Sequence, residues 1–448
     1  MSERFFSDVW HRVEDLRPAL RGHVRVHRHR YRGEAWYVLE DPLAGRSHRL
    51  SLPAYHLVGR MDGRRRMDAI WAETVEALGE AAPSQEDAAT LLGQLHGADL
   101  LRSDAAPDTL ELLERRRRHA GRLVRQNLLG PTSLKLPLFD PDPLLTAIDP
   151  LARRLVGATG LVLWAALAIW GGTLALERWT ALTSNFSDRI LTAENVAMMA
   201  VIYPLVKAVH ELAHGVVAKA YGAEVRETGI MFLVFFPVPY VDAGGANAFR
   251  SKWRRAAVAL AGILAELAIA ALAMILWARL EPGMARAAAF NVMVISGIST
   301  VLVNGNPLLK FDGYHALADV LETPNLAGRA AKFWGHLTDR YVFGAHAIRD
   351  FAATAGEKAL FLVYAPAAFV YRVFIGVAIA LFIAEEFLFA GVVLGLWSLT
   401  ISLGRPVGRA LWHVAVGPRI RRQRRRAVAL TAGAIALAAA ALGALPAP

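Results

Sequence analysis

Cysteine is absent from this 448-residue chain. That excludes disulfides, thiolate metal sites and a cysteine nucleophile, so any metal must be held by His, Asp or Glu. Charge is also sparse: Asp, Glu, Lys and Arg make up 20% of residues against 55% hydrophobic, where soluble domains carry about 25% charged and 45–50% apolar residues. This balance excludes a disordered chain, a collagen-like chain and an ordinary soluble enzyme. The N-terminus is polar, rich in Arg and His, and lacks an apolar h-region. No cleavable signal peptide is expected, and the N-terminus is expected to stay in the cytoplasm. Basic runs at 115–118 and 419–426 come without interleaved aromatics or a zinc knuckle, so no nucleic-acid partner is expected.

What the chain does have is long apolar runs. Seven of them, at 155–176, 196–221, 256–280, 290–303, 361–384, 387–402 and 428–445, suggest about seven spans of a bilayer core about 30 Å thick. The net charge of +11 is concentrated in loops at 153–154, 252–255, 405–409 and 419–426. All of these fall on one side if the N-terminus is inside, where they would meet anionic headgroups of the lipid bilayer. The expected fold class is a mainly α, polytopic helical membrane protein with a small N-terminal α+β, winged-helix-like cytoplasmic domain. In that domain, residues 35–40 and 47–51 read as strands flanking a turn. Helices are expected over 53–60, 66–78 and 84–96, the last with Ser84 and Asp87 placed as a capping box. The expected division is a cytoplasmic domain over 1–105, a linker over 106–150 with a helix at 108–128 and a Pro-rich connector at 131–143, and a transmembrane domain over 151–448.

The chemistry is carried by His210-Glu211-Leu212-Ala213-His214, an H-E-x-x-H pattern inside the second apolar stretch. Positions four apart share a helix face, so both imidazoles can reach one Zn2+, and Glu211 stands where a general base is needed. Ionisable residues in a span are expensive and usually functional. A catalytic zinc takes three protein ligands. With no cysteine, the best third candidate is Asp312, in Asn304-Gly305-Asn306-Pro307 through Asp312-Gly313-Tyr314, with His315 as an alternative ligand or a nearby supporting group. Pro307, Gly305 and Gly313 permit irregular backbone, tolerated in a membrane where it is buried in protein or lines a cavity. Three more charges lie in apolar stretches: Lys207, Glu266 and Arg372. Glu266 can orient a ligand or pair with Arg372 as a structural bridge. Residues 232–240, with two prolines and several aromatics, fit either an interfacial aromatic belt or a strand that holds an extended substrate.

The two motifs together, His210-Glu-Leu-Ala-His214 and Asn304-x-x-Pro307-x-x-x-x-Asp312-Gly313, resemble the signatures of site-2 intramembrane metalloproteases (peptidase M50-like). The similarity is to a bacterial branch of peptide zinc metalloproteases. The resemblance implies Zn2+ held by His210, His214 and Asp312, catalysis by Glu211, and an assisting role at the scissile carbonyl for Asn304, with Asn306 close by. It implies a membrane-embedded or membrane-docked peptide or protein substrate. It also implies a bacterial inner-membrane location with the active site toward the cytoplasmic half. Leu309 and Phe311 stand where the pattern has Pro and Leu, and no PDZ-like domain is evident. Residues 36–63 resemble PqqD-like domains, which bind leader peptides by strand addition. A rival expectation is a non-catalytic component of a peptide export complex working with periplasmic adaptor subunits.

Overall fold

The computed structural model describes residues 10–31, 34–41, 46–102, 134–233, 236–345, 354–385, 387–416 and 423–443. The helix expected at 108–128 lies outside these residues. In the N-terminal domain, β1 (Ala19–Leu20) is followed by an antiparallel meander of β2 (Arg25–Tyr31), β3 (Glu34–Asp41) and β4 (Arg46–Ser51). Helices α1 (Leu52–Val58), α2 (Met67–Leu78) and α3 (Gln85–Gly97) follow, and β5 (Leu101–Arg102) returns to pair with β1. Pro53 and the Ser51 cap start α1, and the reciprocal Ser84–Asp87 box starts α3, each satisfying amide donors that a helix start leaves unpaired. One core of Leu39, Leu57, Met67, Ile70, Leu95 and Leu100 joins sheet and helices.

The segment expected as a Pro-rich connector is instead a strand, β6 (Leu134–Phe139), leading into α4 (Asp142–Leu155). Among the described residues, six helical stretches are long and apolar enough to cross a membrane. They are α5 (Ala158–Glu177), α6 (Ala193–Ala220), α7 (Lys252–Arg279), Met284–Asn304, which begins as α8 (Met284–Met293), Ala355–Ala384, and Leu388–Ala415. The seventh expected stretch falls in the helix Arg424–Gly443, part of which lies outside the residues whose side chains are described. Helices α9 (Asp312–Val320), α10 (Leu326–Leu337) and α11 (Ala355–Ala384) pack around Tyr314, Phe333 and Phe361.

Small residues set the helix contacts. A Cβ on Gly171 of α5 would stand 2.7 Å from the Ala271 Cβ of α7, the close approach by which membrane helices associate. Between α6 and α7 the chain forms a hairpin, β7 (Thr228–Leu233) and β8 (Phe236–Val241), and β6 adds to it in the order β6-β7-β8. Gly229 permits this, because a Cβ there would lie 2.1 Å from the Leu136 carbonyl oxygen of β6. β8 is thereby an edge strand. The N-terminal domain rests on the chain after β8 through His29, whose Nε2 donates to the Ala248 carbonyl at 3.0 Å.

Candidate metal centre

His210 and His214 occupy consecutive turns of α6 and are both buried, 3% and 9% exposed. Their Nε2 atoms are 3.1 Å apart. Asp312, the first residue of α9, brings Oδ2 to 2.9 Å from His210 Nε2 and 3.6 Å from His214 Nε2. Ligands about 2.1 Å from a tetrahedral zinc stand about 3.4 Å from one another, and the three observed separations bracket that value. Two imidazole nitrogens and a carboxylate oxygen suit zinc. The donor set therefore fits the ion on spacing, chemistry and burial.

The second nitrogens of the two rings are also placed. His214 Nδ1 donates to the Val258 carbonyl of α7 at 2.7 Å, which leaves the Nε2 lone pair facing the cluster. His210 Nδ1 lies 2.9 Å from Glu266 Oε1. Glu266 is completely buried. Lys207, one turn before His210, donates to its Oε1 at 2.6 Å, and the Thr300 hydroxyl donates to its Oε2. The pairing with Arg372 does not occur: Arg372 is exposed on α11, whereas Lys207 lies on the same helix face as His210. Gly262 of α7 completes the fit, since a Cβ there would come within 2.4 Å of the His210 Cε1.

Asp312 is delivered by a departure from helical geometry. The fourth span loosens into π turns at Val294–Ile298 and Thr300–Asn304, a feature common at functional sites. The Gly305 amide reaches back to the Thr300 carbonyl at 2.6 Å. The loop then folds tightly on itself, with the Leu308 amide donating to the Asn306 side chain at 2.9 Å. A Cβ on Gly313 would stand 2.3 Å from the Gly305 oxygen, so glycine is required there. From α11, the Tyr364 and Tyr371 hydroxyls donate to the carbonyls of Pro307 and Leu302 at 2.9 and 2.8 Å, fixing the loop from the other side.

Glu211 is half-buried beside the ligands, and its Oε2 accepts from the Val241 amide of β8 at 3.2 Å. The side chain of Asn304 is half-buried and has no hydrogen-bond partner among the described residues. His315 is exposed, with its ring against Tyr314; the His210, His214 and Asp312 group does not include it. Sequence reasoning missed Val258, Gly262, Thr300 and Val241. Two of these act through backbone atoms and one through its lack of a side chain. Thr300 alone carried a signal, a hydroxyl one turn before Asn304.

Comparison with known proteins agrees with this geometry. The profile of Peptidase family M50, the site-2 protease family, matches residues 197–287. That stretch contains His210, Glu211, His214 and Glu266 and stops short of Asp312. An uncharacterised protein of Methanocaldococcus jannaschii is 32% identical over 105 residues, 23% of this chain and 28% of that protein. The chain thus matches little more than a quarter of that relative's length. No solved structure matches the chain. Together with six membrane-span helices, the M50 match supports a membrane metalloprotease role in general.

Proposed function

We propose that this chain is an intramembrane zinc endopeptidase that hydrolyses a membrane-embedded or membrane-docked peptide. The observation that carries the reading is the convergence of His210, His214 and Asp312 on one point, with Glu211 between that point and the edge strand β8. Held by His210, His214 and Asp312, Zn2+ supplies Lewis acidity, polarising a carbonyl and acidifying water. Glu211 accepts a proton from the attacking water and returns it to the leaving amine. The outer edge of β8 presents backbone carbonyls that accept from an extended peptide laid along it; it has no amide to give in return, because Pro237 and Pro239 carry none and the Val241 amide donates to Glu211. Asn304, with its side-chain amide uncommitted, is suited to donate to the oxygen of the scissile carbonyl. The packed helices α6 and α7 limit access of bulk water. The N-terminal domain, with its three-stranded meander, recruits the peptide in the manner of a PqqD-like domain. It faces the cytoplasm of a bacterial cell, and the metal centre sits in the cytoplasmic half of the inner membrane.

Elemental analysis of purified protein, with His210→Ala and Asp312→Ala alongside, tests the metal site. About one zinc per chain is expected, lost in both variants. Glu211→Gln should retain zinc and abolish cleavage, because it removes the base and leaves the ligands. Function that survives Glu211→Gln would instead place the chain among non-catalytic components of a peptide export complex.

A further inference from the structure

The hydrogen-bonding groups of β8 divide between its two sides. A residue in an antiparallel strand turns its N–H and C=O to one side, and its neighbours turn theirs to the other. The Asp242 amide donates across the hairpin to the Glu227 carbonyl at 2.9 Å, so Asp242, Tyr240 and Val238 face β7. Pro237, Pro239 and Val241 therefore face outward, in keeping with the Val241 amide, which donates to Glu211 on α6 at 3.2 Å. At this end the strand is pinned. A Cβ on Gly215 of α6 would stand 3.3 Å from a methyl of Val241, and the Val241 carbonyl accepts from the Ala243 amide at 3.2 Å. What remains of the edge is two carbonyls, those of Pro237 and Pro239, which have no donor among the described residues. An ordinary edge strand donates and accepts in turn; this one only accepts.

The spacing turns this into a selection rule. Outward-facing residues lie two apart along a strand, so the Pro239 and Pro237 carbonyls stand about 7 and 13 Å along the edge from Val241, which holds Glu211. We infer that Pro237 and Pro239 determine specificity: β8 selects peptides with a free N–H at two residues, two apart, on one side of the bond presented to Glu211, and excludes proline at both. Antiparallel pairing puts these donors at the second and fourth residues from the one facing Val241, and parallel pairing at the first and third. The same edge gives nothing to the peptide's carbonyls. The carbonyl nearest Val241 is left unbonded by the strand and open to the Asn304 amide, whereas an ordinary edge would hold it in the ladder. Prolines on an edge also stop two copies of a chain from pairing. That role alone predicts self-association when they are replaced and no change in peptide affinity. The inference rests on the proteolytic reading for the identity of the peptide as substrate; the accepting edge is tested without turnover.

Binding is measured with the full-length Glu211→Gln chain in neutral detergent, since glutamine keeps an acceptor for the Val241 amide. The probe is an alanine–serine dodecapeptide with an uncharged fluorophore, read by anisotropy, beside a copy N-methylated at every residue. The unmodified peptide should bind about tenfold more tightly. Pro239→Ala gives the edge an amide and should tighten that binding about fivefold, and Pro237→Ala with Pro239→Ala about twentyfold, a gain that misfolding cannot imitate. Equal affinity of the two peptides for the parent chain would overturn the inference. So would alanine variants that bind no tighter, with or without self-association in light scattering. Cleavage by the unsubstituted chain then reads the register. In an N-methylalanine scan of the same peptide followed by mass spectrometry, cleavage should be lost at two positions two apart on one side of the cut and kept at the position between them. Uniform tolerance away from the cut, or loss at adjacent positions, would sink the selection rule. Absence of all cleavage counts against the protease reading and leaves the binding result to decide the edge.

Discussion

His210 meets three demands at once. Nε2 faces the metal cluster, Nδ1 lies against Glu266, and the ring is close enough to α7 that only glycine fits at 262. Gly262→Ala should therefore push the ring out of place, costing about 1–3 kcal/mol through overpacking and lowering zinc affinity about 10–100-fold. Competition with a chromophoric chelator measures this, and unchanged affinity would mean that α7 yields instead of the imidazole. Glu266→Gln keeps the volume but leaves Lys207 buried without a counter-charge, a loss of about 3–5 kcal/mol. Adding Lys207→Met should restore most of the stability and none of the zinc affinity, which separates ion-pair loss from loss of the carboxylate behind the ligand. Thermal denaturation and chelator competition on the three variants decide it. The spacing of His210, Glu211 and His214 was legible because a helix turns His-x-x-x-His into a metal pair. The partner of Glu266 was not, because Lys207 and Arg372 are equally cationic in sequence and only helix phase separates them.

At the scale of elements, the sequence announced helices better than strands. Leu52–Val58, Met67–Leu78 and Gln85–Gly97 lie within a residue or two of their expected bounds because Ser51, Pro53, Ser84 and Asp87 mark their starts. β2 reads Arg-Val-His-Arg-His-Arg-Tyr and lacks the apolar alternation that signals a strand. β6 hides among prolines, and its register shifts between Pro137 and Phe139, as expected for a residue with no amide to donate. The π turns before Asn304 depend on tertiary packing and leave no local signature. One strand residue also makes domain docking sensitive to pH. Burial, assisted by the nearby charge of Arg255, lowers the His29 pKa from 6.5 to about 4. The undocked imidazole takes a proton below pH 6.5 and the docked one resists until about pH 4, so docking is fully supported above that window and weakens as the pH falls through it. Spin labels at Arg64→Cys and Arg250→Cys, in a chain with no native cysteine, should report a broader distance distribution at pH 5 than at pH 7. His29→Gln should remove the difference. A distribution that stays narrow at both pH values in the parent chain would show that other contacts hold the domains together.

For the whole molecule, the six spans leave large apolar surfaces uncovered, among them Leu161, Val162, Leu163 and Ile169 on α5, as a bilayer-embedded body requires. Helix α4 continues this surface at right-handed helical spacing: Leu144, Ile148, Leu151 and Leu155 form one exposed edge, and Thr146 and Arg153 lie opposite. A helix with an apolar edge and arginines beside it lies in the membrane interface. Its other face is bound to the end of α6: Asp142 accepts from Lys219 Nζ at 2.7 Å and from the Val225 amide at 3.1 Å. The plane of α4 thus passes near Lys219, and His214, five residues earlier, falls about 7.5 Å below it along α6. That depth lets a water-soluble helix end and a membrane-buried ligand pair belong to one element, and it sets how far a substrate must leave the bilayer to reach Glu211. Single cysteines at Leu151 and Thr146, labelled with bimane in proteoliposomes, test it. Brominated acyl chains should quench the label at Leu151 strongly and the one at Thr146 little. Equal quenching at both positions would sink α4 into the hydrocarbon, and none at either would lift it into water, and in both cases the metal centre would move with it.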